Sequence, residues 1–144
     1  MLGELTRAEI EQVLLREVVG RIGCHAEGRT YVVPITYAYD GEHVYAHSRD
    51  GLKIRTMRAN PNVCFEVEQI EDLAHWRSVV AWGTYEELHA SDEPRAMAVL
   101  RSRFPAGASS ETARLHPVTH AGVDQARTIY FRIRLEEKAG RFER

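Results

Sequence analysis

With 144 residues, 44% of them hydrophobic and 28% charged, the chain has the length of one domain that buries a single core. A formal net charge of −2 argues against a nucleic-acid binder, which needs an excess of Lys and Arg on one face. No apolar run approaches the roughly 20 residues of a membrane span, and Met1 to Thr6 lacks a charged-then-apolar leader pattern. A cytoplasmic location with no membrane partner is therefore expected.

Thr6-Arg7-Ala8-Glu9 is a capping box, in which the Thr hydroxyl accepts the Glu9 N–H and the Glu side chain returns to the Thr6 N–H. Ile10, Val13 and Leu14 follow as the apolar stripe of a short helix that packs on a sheet or plugs one end of a barrel. Val18 to Ala26 reads as the first strand, with Gly20 and Gly23 as bend or bulge points. Glu27-Gly28-Arg29 turns it into a second strand, where Tyr31, Val33, Ile35, Tyr37 and Tyr39 alternate on one side. Pro34 in its middle donates no ladder hydrogen bond and marks a break in the pairing. Either it sits at an edge or bulge, or the strand is left open there for a flat ligand to meet the backbone of Pro34, Ile35 and Thr36.

Asp40-Gly41 makes a hairpin into a strand ending at His47-Ser48, and a small basic turn of helix follows, closed by Asn60-Pro61. Gly51 precedes Lys53, Arg55 and Arg58 at the start of that helix, where free N–H groups and the dipole favour an anion. From His47 to Arg58, four Lys/Arg residues stand against Asp50, a local net of +3 that suits a small anionic ligand. At about 100° per residue Arg55 lies about 160° from Lys53, so the three cations do not share one phosphate. Lys53, nearest the helix start, is the first candidate and Arg55 the second.

Asn62 to Gln69 alternates through Val63, Phe65 and Val67, and Ile70 to His75 is a polar connection. Trp76 to His89 is long enough for a strand bent at Gly83. Trp76 and Trp82 share a face on a regular strand and serve either as core or, with Tyr45, as the lining of a pocket. Between them Ser78 offers a hydroxyl, while Arg77 has Glu66 or Glu68 as carboxylate partners. Ser91-Asp92-Glu93-Pro94 starts a helix with Met97, Leu100, Arg101 and Phe104 on its stripe. Pro105 to Asp124 is the least structured part, with room for a short helix around Thr112 to Leu115. Thr128 to Leu135 is the last expected strand, with Ile129, Phe131, Ile133 and Leu135 on one face. About six strands without a repeated βα unit imply one antiparallel barrel over residues 1–144, with two or three peripheral helices.

Other constellations carry less. His116 and His120 have the spacing of two metal ligands, but Pro117 and Gly122 argue against a helix there, so an exposed loop and no metal are expected. His47 and Ser48 point to opposite faces of a strand and do not form a base–nucleophile pair. Cys24 and Cys64, the two cysteines, fall inside strand patterns and are expected as reduced thiols. No general acid or base stands out, so the catalytic residues stay unassigned.

The run from Tyr31 to Glu68 resembles the flavin-binding core of the pyridoxamine 5′-phosphate oxidase-like split barrels, where a strand with a polar step, here His47-Ser48, leads through a loop to a Lys, here Lys53, and an Asn-Pro, here Asn60-Pro61. Arg77-Ser78-Val79-Val80-Ala81-Trp82-Gly83 is similar to the family's Arg-Gln-Val strand with its trailing Gly. Ser78 replaces the Gln, and Leu52 stands where an Arg commonly precedes the Lys. The resemblance runs from about Val18 to Leu88. It implies a mainly β, six-stranded Greek-key split barrel that binds FMN, with the isoalloxazine ring against Pro34, Ile35 and Thr36. It places the phosphate at Lys53 and Arg55, with His47, Ser48, Arg77, Ser78 and Trp82 completing the cofactor site. It also implies a homodimer with the flavin at the subunit boundary, and a flavin-dependent oxidoreductase acting on an unidentified small-molecule substrate. Left open are a non-catalytic flavin-binding, storage or sensor protein, and a deazaflavin or haem binder on the same barrel. The oxidases carry an Arg-x-His near the C-terminus beside a tryptophan-containing segment; here no His follows His120 and no Trp follows Trp82, so oxidation of pyridoxine or pyridoxamine 5′-phosphate is not expected.

Overall fold

The alternating segments assemble into one antiparallel sheet, and the computed structural model describes it through residues 1–104 and 128–144. In chain order the elements are β1 (Leu2–Glu4), α1 (Arg7–Arg16), β2 (Val19–Ala26), β3 (Arg29–Thr36), β4 (Ala38–Tyr39), β5 (His43–Arg49), α2 (Leu52–Ala59), β6 (Asn62–Asp72), β7 (His75–Glu87), α3 (Glu93–Arg103) and β8 (Thr128–Glu143). The eight strands follow the order β3-β2-β6-β7-β8-β5-β4, with β1 added against the end of β8.

The sheet curls but does not close, and Tyr37 is where it divides. Its N–H donates to the Val18 carbonyl at 2.9 Å and its hydroxyl to the Leu14 carbonyl at 2.8 Å. On one side of it β3 stays paired to β2; on the other β4 pairs with β5. The polypeptide that reads as a single strand is thus shared between the two ends of the sheet, which makes the architecture a split barrel. Pro34 lies on the terminal strand β3, but the expected break in the pairing is absent: the β2–β3 register runs through it opposite Arg21, and an edge strand is where a proline is tolerated.

Inside, Ile22, Phe65, Val67, Val79, Ala81, Phe131 and Ile133 are fully buried, and Val13 and Leu14 of α1 with Ile54 and Met57 of α2 join the same core. Tyr37 meets Phe65 edge-on at 4.8 Å between ring centroids. On the other face of β5 and β8, α3 buries Ala96 and Leu100 against Ala38, Tyr45, Leu88 and Tyr130, a second and smaller cluster.

The capping box of Thr6 and Glu9 forms as read, and the Glu27-Gly28 and Gly41 turns take up the positive φ values that such turns require. Gly83 marks a register shift in the β7–β8 pairing, where a Cβ would stand 2.1 Å from the Arg134 carbonyl oxygen. Gly20 and Gly23 differ from expectation: the β2–β3 register runs through both without a bulge. Gly20 instead makes room for the Phe65 ring, whose Cζ would be 2.3 Å from an added Cβ.

The expected six strands become eight, because β1 and β4 are too short to show alternation. The last strand continues from Leu135 to Glu143, since the bulge near Glu136 shifts the inward set to Lys138, Gly140 and Phe142. The Ile70 to His75 connection shrinks to a tight turn, with β6 running to Asp72. The reading of residues 105–124, including the His116/His120 pair, lies outside the described residues. Both cysteines are free thiols, Cys24 buried and Cys64 half-buried.

Candidate functional site

The strand β5 delivers Ser48 to the inward side, opposite Ile129, and Gly51 then starts α2. The Lys53 ammonium donates to the Ser48 Oγ at 2.9 Å, and that hydroxyl donates to the Arg49 carbonyl at 2.9 Å. Burial pulls the Lys53 pKa below its ordinary value. No carboxylate among the described residues pairs with it. Gly51 supplies no side-chain cap to the first turn, and a Cβ there would meet a single atom, the Arg49 carbonyl oxygen at 3.9 Å. Among the described residues the approach to the N-terminus of α2 is therefore open, with a half-buried ammonium beside it, and this fits a phosphate group.

The other two cations of the turn behave differently. Arg58 is committed to Glu87 through two hydrogen bonds of 2.7 and 3.0 Å and to Asp50 at 3.3 Å. This pairing fastens α2 to the end of β7 and holds the Glu87 carboxylate below its usual pKa. Arg55 is exposed.

His47 projects from the opposite face of β5, with its ring 5.7 Å from that of Tyr130. Burial first, and the Lys53 charge second, lower its pKa, so the imidazole is neutral at pH 7.

The remaining candidates lie elsewhere on the sheet. Pro34 is exposed on β3, Ile35 points into the core and Thr36 is half-buried. Ser78 and Trp82 occupy the outward face of β7, along with Trp76, and Trp82 is 44% exposed rather than core. The ladder Trp82–Cys64–Gly23–Val32 and its neighbour Val80–Glu66–Arg21–Pro34 show that Trp82 and Pro34 share one surface. Arg77 points inward and donates to the Gln12 Oε1 at 3.1 Å, so the expected pairing with Glu66 or Glu68 does not form. Arg21 takes that place, at 3.4 and 3.1 Å from the two carboxylates. Tyr45 does not line a pocket with Trp82; it is 1% exposed beneath α3, where its hydroxyl accepts from Arg95 at 3.3 Å and Arg132 at 3.5 Å.

Within one chain the ten candidates thus divide. Ser48 and Lys53 are hydrogen-bonded to each other on one side of the split, and the β3 edge at Pro34, Ile35 and Thr36 stands on the other. Ser78 and Trp82 lie on the outward face. His47 lies beside Tyr130 on the opposite face of β5 from Ser48, Arg77 lies under α1, and Arg55 is exposed on α2.

The family model described as pyridoxamine 5′-phosphate oxidase matches residues 6–142. The chain belongs to the pyridoxamine 5′-phosphate oxidase family. Similar to it is the uncharacterized protein RA0666 of Rhizobium meliloti (strain 1021), 30% identical over 95% of this chain and 92% of that protein. A crystal structure of a FAD-binding protein from Mesorhizobium loti is similar at 32% identity and a TM-score of 0.80, covering 100% of this chain and 99% of the other. The FAD binding protein from Mycobacterium smegmatis shares the fold, with a TM-score of 0.70 at 22% identity over 99% of this chain and 98% of the other. Family membership accounts for the order of the motifs from Tyr31 to Gly83. It does not by itself single out the Arg21–Glu66–Glu68 cluster, whose one sequence signal is a pair of carboxylates two apart on a strand and hence on one face.

Proposed function

We propose that the chain binds a flavin, with its phosphate on Ser48, Lys53 and the first turn of α2. The observation that carries this is the half-buried Lys53 ammonium, hydrogen-bonded to a hydroxyl at 2.9 Å at an open helix start. The flavin as ligand class rests on the resemblance and on the 32% identical relative described as FAD-binding. FMN is the preferred form, because one half-buried cation at a single helix start suits a single terminal phosphate and no Gly-rich dinucleotide fingerprint occurs in the chain. FAD is the second reading, favoured by that same relative.

The flavin, when bound, supplies the redox chemistry, and the protein binds and orients it. The neutral His47 and the Ser48 hydroxyl are polar groups close to the seat. The β3 backbone at Pro34, Ile35 and Thr36 offers an open edge to a flat ring, and Arg55 stands as an outer cation. A second copy of the chain covers the outward face that carries Ser78 and Trp82 and completes the site at the boundary, and the protein acts in the cytoplasm as an oxidoreductase on a small molecule.

Titrating riboflavin, FMN and FAD against the protein by fluorescence quenching tests the phosphate seat. FMN should bind at least roughly tenfold more tightly than riboflavin, the scale of one charge-assisted hydrogen bond. Equal affinity for riboflavin would mean that no phosphate is held at Lys53.

A second expected result is negative. A substrate that carries its own phosphate needs a second anion site, and the C-terminal Arg132, Arg134 and Arg141 do not reproduce the oxidases' Arg-x-His. Arg132 is also engaged with Glu86 and Tyr45. Peroxide release with pyridoxine or pyridoxamine 5′-phosphate should therefore stay at background in the FMN-loaded protein. Turnover of about 1 per second or faster would mean that other residues rebuild the substrate site.

A further inference from the structure

Among the described residues no helix packs on the outward face of β2, β3, β6 and β7. That face nevertheless presents apolar side chains: Val19 is 49% exposed, Val32 63%, Ile70 64% and Trp82 44%. The lower half of β8, with exposed Ala139 and Arg141, extends it. Five strands about 4.8 Å apart and about eight residues long make a flat area on the order of 600 Å². Side-chain relief brings this toward the roughly 800 Å² per partner of a standard interface. The occupant is a second copy of the chain, and its role here rests on the dimeric reading in which that copy completes the flavin site.

At the centre of the face one guanidinium serves two carboxylates. Arg21 Nη1 is 3.4 Å from Glu66 Oε1 and 3.1 Å from Glu68 Oε1, so with both acids ionised the cluster carries a net charge of −1. The neighbouring strands do not balance it: Val80 and Ser78 face it from β7, and Pro34 lies beyond Arg21 on β3. Arg141 stands a further strand away, opposite Ser78. Burial first, and the neighbouring Glu68 second, push the Glu66 pKa up to about 7. A contact between two copies takes this unbalanced charge further out of water on both chains, which disfavours the ionised form.

We infer that association across this face places one proton on Glu66 of each chain, so that the dimer tightens as the pH falls from 8 to 6. The protonated Glu66 donates an O–H to Glu68, and Arg21 balances the one remaining carboxylate. Each dimer therefore takes up protons from solution as it forms, approaching two well above pH 7 and few at pH 6, where Glu66 is already protonated.

Sedimentation equilibrium of the full chain at pH 6, 7 and 8 and constant ionic strength tests this. The protonated fraction of a group titrating near 7 changes about tenfold across that range, and one such group per chain gives about a 100-fold change in the dimer dissociation constant. Glu66→Gln keeps a donor toward Glu68 without the charge. It should associate at pH 8 as tightly as the wild type does at pH 6, with no pH dependence left; a melting curve checks that it is folded. His25, at the far end of the same face, is a second titratable group, and the variant separates the two. A dissociation constant that varies less than about threefold, or a Glu66→Gln protein that keeps the wild-type pH dependence, overturns the inference while leaving the dimer in place. A chain that is monomeric at every pH, in both forms, overturns the dimer itself.

Discussion

Replacing Lys53 by Ala should weaken FMN binding by about 1.5–3 kcal/mol, roughly 10- to 150-fold, while riboflavin affinity stays nearly unchanged. The asymmetry is the informative part. Lys53 is half-buried, its pKa is lowered by burial, and its hydrogen-bond partner is the neutral Ser48 hydroxyl at 2.9 Å. Its ammonium is thus held out of water without a carboxylate, and the anion that arrives gains a charge already in position. Arg58→Ala is the control with the opposite signature. Its guanidinium is taken up by Glu87 and Asp50, so its loss should lower stability by loosening α2 from β7 and affect FMN and riboflavin alike. Parallel titrations of both variants with both ligands decide the matter. If Lys53→Ala binds FMN as the wild type does, the phosphate is not at the start of α2.

The largest effect on stability is expected at Phe65, where substitution by Ala should cost about 3–5 kcal/mol. The ring is fully buried, touches Tyr37 edge-on at 4.8 Å, and occupies the space that the missing Gly20 side chain leaves open. Neither neighbour relaxes easily into the hole. Tyr37 is held at both its N–H and its hydroxyl, and Gly20 is fixed by its register opposite Ile35. Urea unfolding with an unchanged slope and a lowered midpoint would report this loss. Gly20→Ala should not repair the loss, because its methyl would stand 2.9 Å from the Glu66 backbone carbonyl even with the ring gone. A Phe65→Ala protein within about 1 kcal/mol of the wild type would mean that the core collapses around the site.

The strands were legible because each buries one face, and period-2 alternation through Tyr31 to Tyr39, Asn62 to Gln69 and Ile129 to Leu135 states that directly. The capping box and the bend at Gly83 were legible because their chemistry is local. What the sequence hid was non-local. Arg77 and Arg21 are both cations on strands near Glu66 and Glu68, and only the register, with Arg21 directly opposite Glu66, decides which of them pairs. The continuation of β8 was hidden by Glu136-Glu137, a polar pair at a bulge that interrupts the alternation before Lys138, Gly140 and Phe142 resume it inward. Of the site, the Ser48–Lys53 contact follows from a strand-to-helix turn within six residues. The separate positions of Arg77, under α1, and Tyr45, under α3, follow from where the helices pack.

The position of β8 governs how the chain reaches this structure as it is synthesised. β8 pairs with β7 on one side and β5 on the other, and β1 docks on its end. Without residues 128–143 the strand order leaves two groups, β3-β2-β6-β7 and β4-β5, joined through Tyr37 but with no pairing between β7 and β5. Pairing of the two groups through β8 depends on contacts far apart in sequence, which form late because loop closure comes first. A nascent chain stalled before Thr128 displays two raw strand edges to any chaperone or sister chain nearby.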